Sequence, residues 1–74
     1  TDHRLENARR HNEQGKQLYE AGNLELAELQ FRRAIQMNPD FAEAHNNLAV
    51  LYWQQGRASS AIGELAEALR TVLD

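Results

Sequence analysis

Residues 22–56 carry most of the information about the architecture of this chain and read GNLELAELQFRRAIQMNPDFAEAHNNLAVLYWQQG, from one glycine to the next. Glycine readily adopts the left-handed backbone conformation that ends many helices, so Gly22 and Gly56 each predict a tight turn after a helix. Pro39 lies near the middle of the stretch, and its missing backbone N–H prevents a continuous helix there. The stretch therefore predicts two helices separated at the proline, with one more helix before Gly22 and another after Gly56.

Apolar residues recur every three or four positions in all four segments, which is the periodicity of one helical face. In the third segment, for example, Ala44, Leu48, Leu51 and Tyr52 mark the buried side. We therefore predict an all-α fold with helices over residues 8–21, 24–37, 41–55 and 58–72. Residues 1–7 are an N-terminal extension, which we predict to be either disordered or a continuation of the first helix.

Shifting the chain so that Gly22 falls on Gly56 aligns the sequence with itself. The other aligned pairs share residue type or size: Ala27 with Ala61, Phe31 with Leu65, Ala34 with Ala68, and His11 with His45. Such self-similarity is typical of proteins built from tandem structural repeats. We assign the first repeat to residues 8–41 and the second to residues 42–74.

The order of small, aromatic and turn-forming residues in each repeat resembles the tetratricopeptide repeat family. The matching positions are Gly15, Leu18, Gly22, Ala27, Phe31, Ala34 and Pro39 in the first repeat, and Leu48, Ala49, Tyr52, Gly56, Ala61, Leu65 and Ala68 in the second. The resemblance implies two antiparallel helix-turn-helix hairpins stacked as a short right-handed solenoid. Small residues such as Gly15 and Ala27 allow the helices to approach closely, and Phe31 fills the space beside them.

Length and composition exclude several classes of protein. The chain has 74 residues, of which 42% are hydrophobic and 26% charged, as is typical of one small soluble domain. It has no cysteine, which excludes a disulfide framework and a thiolate metal site. The net charge of -3 argues against a large basic surface for nucleic acid. Because no apolar run is long enough for a transmembrane helix or a signal peptide, we expect no membrane contact and a cytoplasmic location.

Motifs that carry catalysis are absent from the sequence. It contains no glycine-rich phosphate loop, no GxSxG or HExxH motif and no cysteine nucleophile. His11 and His45 occupy equivalent repeat positions, but zinc needs two further ligands that the sequence does not identify, so a packing role is favoured. Ser59 and Ser60 are interpreted as residues that start the fourth helix. We therefore predict that the chain is not an enzyme and uses no cofactor and no metal.

By the same resemblance, the first helix of each hairpin lines a concave surface that binds a protein or peptide ligand. The exposed stripe along these two helices is polar with aromatic anchors, and it is predicted to include Asn12, Lys16, Tyr19, Asn46, Asn47, Val50 and Trp53. Asparagine amides both donate and accept hydrogen bonds, so they match an extended peptide backbone. Lys16 is expected to meet a carboxylate, and Trp53 to cover an apolar side chain. The chain would then be a non-catalytic interaction module, or scaffold.

Alternative functions depend on other features. The apolar residues of the second repeat predict a surface that pairs with another copy to form a homodimer, and they include Leu51, Leu65, Leu69 and Leu73. Residues 45–56, HNNLAVLYWQQG, resemble repeats that precede catalytic domains in some bacterial transferases, which would make the chain an accessory segment. Asn47 occupies the position of a peptide-binding asparagine in family members that bind chaperone tails. Those members carry lysine and asparagine where this chain has Asn12 and Lys16, so the order of the pair is inverted. Alternatively, the stripe is a solvated surface and Trp53 packs on a neighbouring repeat.

Overall fold

The computed structural model describes residues 2–73, which form four α-helices and no β-strand. The helices are α1 (Arg4–Glu20), α2 (Leu24–Met37), α3 (Ala42–Gln54) and α4 (Ala58–Leu73). The all-α prediction is confirmed, and α2 begins and ends at the predicted residues. The largest difference is at the first helix, which was predicted from residue 8 and begins at Arg4.

Polar residues extend the first helix beyond its apolar pattern. The backbone N–H of Arg4 donates to Asp2 Oδ1 at 2.9 Å, so Asp2 satisfies one of the donors that a helix start leaves unpaired. The Arg4 guanidinium also bonds this carboxylate and lowers the pKa of Asp2 below its ordinary value. Residues 4–7 therefore continue the first helix, and Thr1 lies outside the described residues.

The turns inside the two hairpins are built in the same way. Gly22 has a φ of 82° and Gly56 a φ of 74°, so both occupy the left-handed conformation that the sequence predicted. After each glycine the next backbone N–H reaches back to a helix carbonyl: Asn23 N donates to Leu18 O at 2.8 Å, and Arg57 N donates to Tyr52 O at 2.8 Å. These bonds satisfy carbonyls that a helix end leaves unpaired, so each helix ends just before its glycine.

Packing of the helices produces two hairpins. α1 packs mainly on α2 and α3 on α4, while α3 also contacts α2 and, less extensively, α1. The central helix α3 therefore has neighbours on both sides, which explains why it contributes most of the core. The buried core cluster comprises Ala27, Phe31, Leu48, Ala49, Leu51, Tyr52 and Ala61. The right-handed solenoid stays a prediction.

Close approach inside the first hairpin requires a glycine at position 15. A Cβ atom added to Gly15 would lie 2.5 Å from Cε1 and 2.6 Å from Cδ1 of Phe31. The Phe31 ring is itself buried, so it has little room to move away. Gly15 and Phe31 are thus a matched pair, in which the aromatic ring occupies the space that a side chain at position 15 would need.

A cluster of polar groups around the buried Tyr52 joins the two hairpins. Glu28 on α2 pairs with Arg32 at 2.8 Å and with Arg57 at 3.1 Å. Arg32 donates to the Tyr52 hydroxyl at 2.7 Å, and the Arg57 guanidinium lies 4.2 Å from the centre of the Tyr52 ring. The hydrogen bond with Tyr52 and the charge of Glu28 raise the pKa of Arg32. Because Tyr52 belongs to α3, this cluster helps to set how α3 lies on α2.

One residue of the predicted self-association surface is misplaced. Leu51 is completely buried in the core, because it lies on the side of α3 that has neighbouring helices. The prediction that Leu51 is free to contact another copy is therefore wrong. Leu65, Leu69 and Leu73 on α4 are 47%, 59% and 75% exposed, so this part of the apolar surface is accessible.

Candidate functional site

A pocket of about 230 Å³ lies between α1 and α3. It is lined by Lys16, Tyr19, Glu20, Asn47 and Val50. All of these residues except Glu20 belong to the stripe that the sequence predicted, so the fold brings them together from two helices that are far apart in sequence. We call this pocket, with the neighbouring exposed surface of α1 and α3, the groove.

The two helices of the groove run in the same direction. Asn47 Nδ2 on α3 donates to Asn12 Oδ1 on α1 at 2.9 Å, and further along both helices Tyr19 and Val50 line the same pocket. Because α1 and α2 form a hairpin and α3 turns back at Pro39 to pack on α2, α1 and α3 run in the same direction and their carboxyl ends lie at the same end of the groove. This end of the groove carries Tyr19, Glu20, Val50, Trp53 and Gln54.

Asn12 does not lie on the exposed stripe, and the prediction of its exposure is wrong. Its side chain is only 1% exposed, because the Asn47 amide from the next repeat covers it and bonds its oxygen. The repeat-equivalent residue Asn46 is exposed. Asn12 therefore positions Asn47 from below the groove, and Asn46 is the asparagine that offers a free amide to solvent.

Lys16 is engaged within the protein. Its Nζ atom lies 3.2 Å from Glu13 Oε1 and 3.3 Å from Glu43 Oε1. The hydrogen bond to Glu13, followed by the one to Glu43, raises the pKa of Lys16 above its ordinary value. A carboxylate on a ligand would have to compete with two carboxylates of the chain for this ammonium group. The geometry thus disfavours the predicted role of Lys16 as a carboxylate receptor.

Trp53 and Val50 form the apolar part of the groove. Trp53 is 67% exposed, and beside it lies a second recess of about 260 Å³. The recess is lined by Ala49, Val50, Trp53, Gln54, Ala61 and Leu65. Because Val50 lines both pockets, they are neighbours along the surface of α3. The interpretation in which Trp53 is half-buried does not apply within residues 2–73.

Sequence reasoning overlooked Glu20, the last residue of α1. It lines the pocket although its type did not fit the polar-aromatic stripe. Its spacing of four positions from Lys16 places both side chains on the same helical face, which is the signal that would have included it.

The two histidines have packing roles that repeat with the chain. His11 Nδ1 lies 2.6 Å from Gln30 Oε1, and His45 Nδ1 lies 2.7 Å from Glu64 Oε1. Gln30 and Glu64 are themselves equivalent positions of the two repeats, so each histidine ties the first helix of its hairpin to the second. His45 Nε2 additionally lies 2.8 Å from the Pro39 carbonyl oxygen.

Metal-binding clusters and membrane-spanning helices are absent from residues 2–73. This part of the chain contains no group of three or more His, Cys, Asp or Glu side chains suited to holding a metal ion. Each of its helices is too short or too polar to cross a lipid bilayer.

Comparison with known families identifies the repeat. Residues 12–72 match the tetratricopeptide repeat, in agreement with the resemblance found in the sequence. No curated protein matched the chain. Because the family match covers most of its length, this chain belongs to the tetratricopeptide repeat family, whose repeats are in general non-catalytic protein-interaction modules.

Proposed function

We propose that this chain binds an extended segment of a partner protein in the groove between α1 and α3. The observation that supports the proposal is the pocket in which Lys16, Tyr19, Asn47 and Val50 meet. Two parallel helices supply these side chains, so their spacing is set before a ligand arrives. A site that is formed in advance loses less conformational entropy on binding.

The groove offers the two kinds of contact that an extended segment needs. The exposed Asn46 amide can donate to and accept from a peptide backbone. Val50 and Trp53 present apolar surface to a ligand side chain, and large aromatic residues carry much of the binding energy at protein interfaces. Asn47 keeps one amide N–H and its oxygen available after bonding Asn12.

Selection from a displayed library of random linear peptides tests this proposal. Peptides enriched on the wild-type chain should bind Trp53→Ala more weakly by about 1 to 3 kcal/mol, because an anchor side chain is lost. Asn23→Ala is the matched surface control, since Asn23 lies in the turn after α1 and its side chain makes no cap hydrogen bond. Equal binding by wild type and Trp53→Ala would place the peptide site outside the groove.

A second candidate function is self-association through α4. Leu65, Leu69 and Leu73 form, with Ile62 and Val72, an exposed apolar face on this helix. Large exposed apolar patches on soluble proteins commonly mark interaction sites. We propose a two-fold dimer in which this face meets its own copy, because a two-fold contact closes on itself.

Head-to-tail association is disfavoured by the first helix. Leu48 and Leu51, which α3 packs into the core, correspond to Gln14 and Gln17 of α1 when the two repeats are aligned. α1 therefore carries polar side chains where an apolar partner helix would be needed. The apolar contact that α3 makes on the first hairpin therefore has no equivalent on the exposed side of α1.

Molar mass in solution tests the dimer. The wild-type chain should dimerise as its concentration rises, and Leu69→Lys with Leu73→Lys should shift it to monomer. Leu5→Lys is the control, since Leu5 is also an exposed leucine but lies on α1. A wild-type chain that remains monomeric throughout the titration would contradict the dimer and leave the groove proposal intact.

A further inference from the structure

The charge at the end of the groove where α1 and α3 finish is set by side chains rather than by helix dipoles. The carboxyl ends of α1 and α3 carry partial negative charge, but α2 and α4 begin within a few residues of them and place partial positive charge beside it, so these helix dipoles largely offset each other. Neither α1 nor α3 has a basic residue in its last turn. The last turns of α1 and α3 therefore place no cation at this end.

Glu20 adds a full negative charge to the same end. It is exposed, lines the pocket and ends α1. Its side chain makes no hydrogen bond or ion pair with any residue between positions 2 and 73. The carboxylate is therefore available to a ligand.

The cations closest in sequence to the ends of α1 and α3 are engaged elsewhere. Lys16, one helical turn before Glu20, bonds Glu13 and Glu43. Arg57 follows α3, but its guanidinium bonds Glu28 on α2 and lies over the Tyr52 ring. Neither cation pairs with Glu20.

Aromatic and apolar surface lies next to this negative end. Trp53 is exposed, and tryptophan is the aromatic side chain that attracts cations most strongly. Val50 lies between Trp53 and the pocket that Glu20 lines, because it contributes to both recesses. Lysine and arginine combine an aliphatic stem with a cationic head. Their side chains are therefore complementary to a surface that is apolar at Val50, aromatic at Trp53 and acidic at Glu20.

Building on the proposed peptide binding, we propose that the groove selects segments carrying a lysine or arginine side chain, which binds between Glu20 and Trp53. The aliphatic stem packs on Val50, and the cationic head meets the Glu20 carboxylate and the Trp53 ring. An acidic ligand side chain is disfavoured here by the Glu20 carboxylate. The ligand class is therefore a basic extended peptide.

Peptide selection and charge-matched variants test this inference. Displayed random linear peptides enriched on the wild-type chain should be rich in lysine or arginine. One enriched peptide is then synthesised with blocked ends, together with a twin in which norleucine or citrulline replaces the basic residue. Trp53 is the only tryptophan of the chain, so its fluorescence reports binding at the proposed place.

Glu20→Gln should weaken binding of the basic peptide by about two- to five-fold, the range of an exposed ion pair, and should leave the neutral twin unchanged. Glu6→Gln is the control, because it removes the same charge at the opposite end of α1. Added salt should weaken binding of the basic peptide more than that of its twin.

Each outcome bears on one proposal or on both. Enrichment of peptides without basic residues, or equal loss of binding in Glu20→Gln and Glu6→Gln, would overturn the basic ligand and leave groove binding in place. Unchanged affinity of Glu20→Gln for the basic peptide would do the same. If no peptide is enriched, or if Trp53→Ala binds like wild type, the groove proposal itself fails and the inference fails with it.

Discussion

The two hairpins share their local structure and differ in how deeply equivalent residues are buried. Phe31 is 1% exposed, whereas Leu65, its equivalent in the second repeat, is 47% exposed. Asn12 is buried beneath Asn47, whereas its equivalent Asn46 faces solvent. Phe31 and Asn12 of the first hairpin are covered by α3. Within residues 2–73 no helix covers the equivalent residues of the second hairpin in the same way.

The difference shows that burial in a repeat depends on the neighbouring repeat as well as on residue type. Stability of such proteins is approximately a sum of terms for each repeat and for each interface between repeats. Equivalent substitutions in the two hairpins should therefore have unequal effects. The first two pairs of variants below test that expectation at equivalent positions, and the remaining variants probe contacts made within one hairpin or between the two.

The largest difference should separate Phe31 from Leu65. Phe31→Ala removes a fully buried ring and should lower the free energy of unfolding by about 3 to 5 kcal/mol. Leu65→Ala removes a half-exposed side chain and should cost about 1 kcal/mol, since less apolar surface returns to water. Urea unfolding of both variants measures the difference. Equal losses would mean that the second hairpin is covered as well as the first.

The buried amide pair should give the next largest difference. Asn12→Ala leaves Asn47 without its partner and should cost about 1 to 3 kcal/mol. Asn46→Ala changes an exposed amide and should leave the free energy of unfolding within about 0.5 kcal/mol of wild type. Thermal melts followed by circular dichroism distinguish the two. A stable Asn12→Ala variant would show that the interhelical hydrogen bond contributes little.

Glycine replacements should have opposite signs in the two hairpins. Gly15→Ala brings a Cβ against the Phe31 ring, and overpacking of this kind costs about 1 to 3 kcal/mol, partly offset by the higher helix propensity of alanine. Gly63→Ala meets no atom within 4 Å and should stabilise α4 by up to about 1 kcal/mol. The melting temperature should therefore fall for Gly15→Ala and rise for Gly63→Ala. The same sign for both would contradict the close packing of Gly15 on Phe31.

The smallest effect concerns the ion pair between the hairpins. Hydrogen bonds to Glu13 and Glu43 raise the pKa of Lys16, so its contribution to stability is complete below the ordinary lysine pKa of about 10.4 and disappears as pH rises through the raised value. The stability difference between wild type and Lys16→Met should therefore shrink above about pH 10. Chemical denaturation across this range measures the difference. A constant difference would mean that Lys16 stabilises the fold through its aliphatic stem.

Local features of the fold were predictable from the amino-acid order. Gly22, Pro39 and Gly56 restrict the backbone or remove a donor within their own turn, and the apolar period acts over one helix. The hairpin turns and both ends of α2 therefore agree with prediction. Repetition of the same residue order in two successive units also identified the family, because small residues are needed wherever two helices meet closely.

Tertiary packing decided which side chains of those helices are accessible. Whether Asn12 and Leu51 face solvent depends on where α3 lies relative to the first hairpin, and this information is not contained in either helix alone. Lys16 was expected to bind a carboxylate of the ligand, yet its long side chain pairs with Glu43 on the first helix of the next hairpin. Periodicity assigns a residue to a face of its own helix, whereas its partners and its exposure follow from the helices packed against that face.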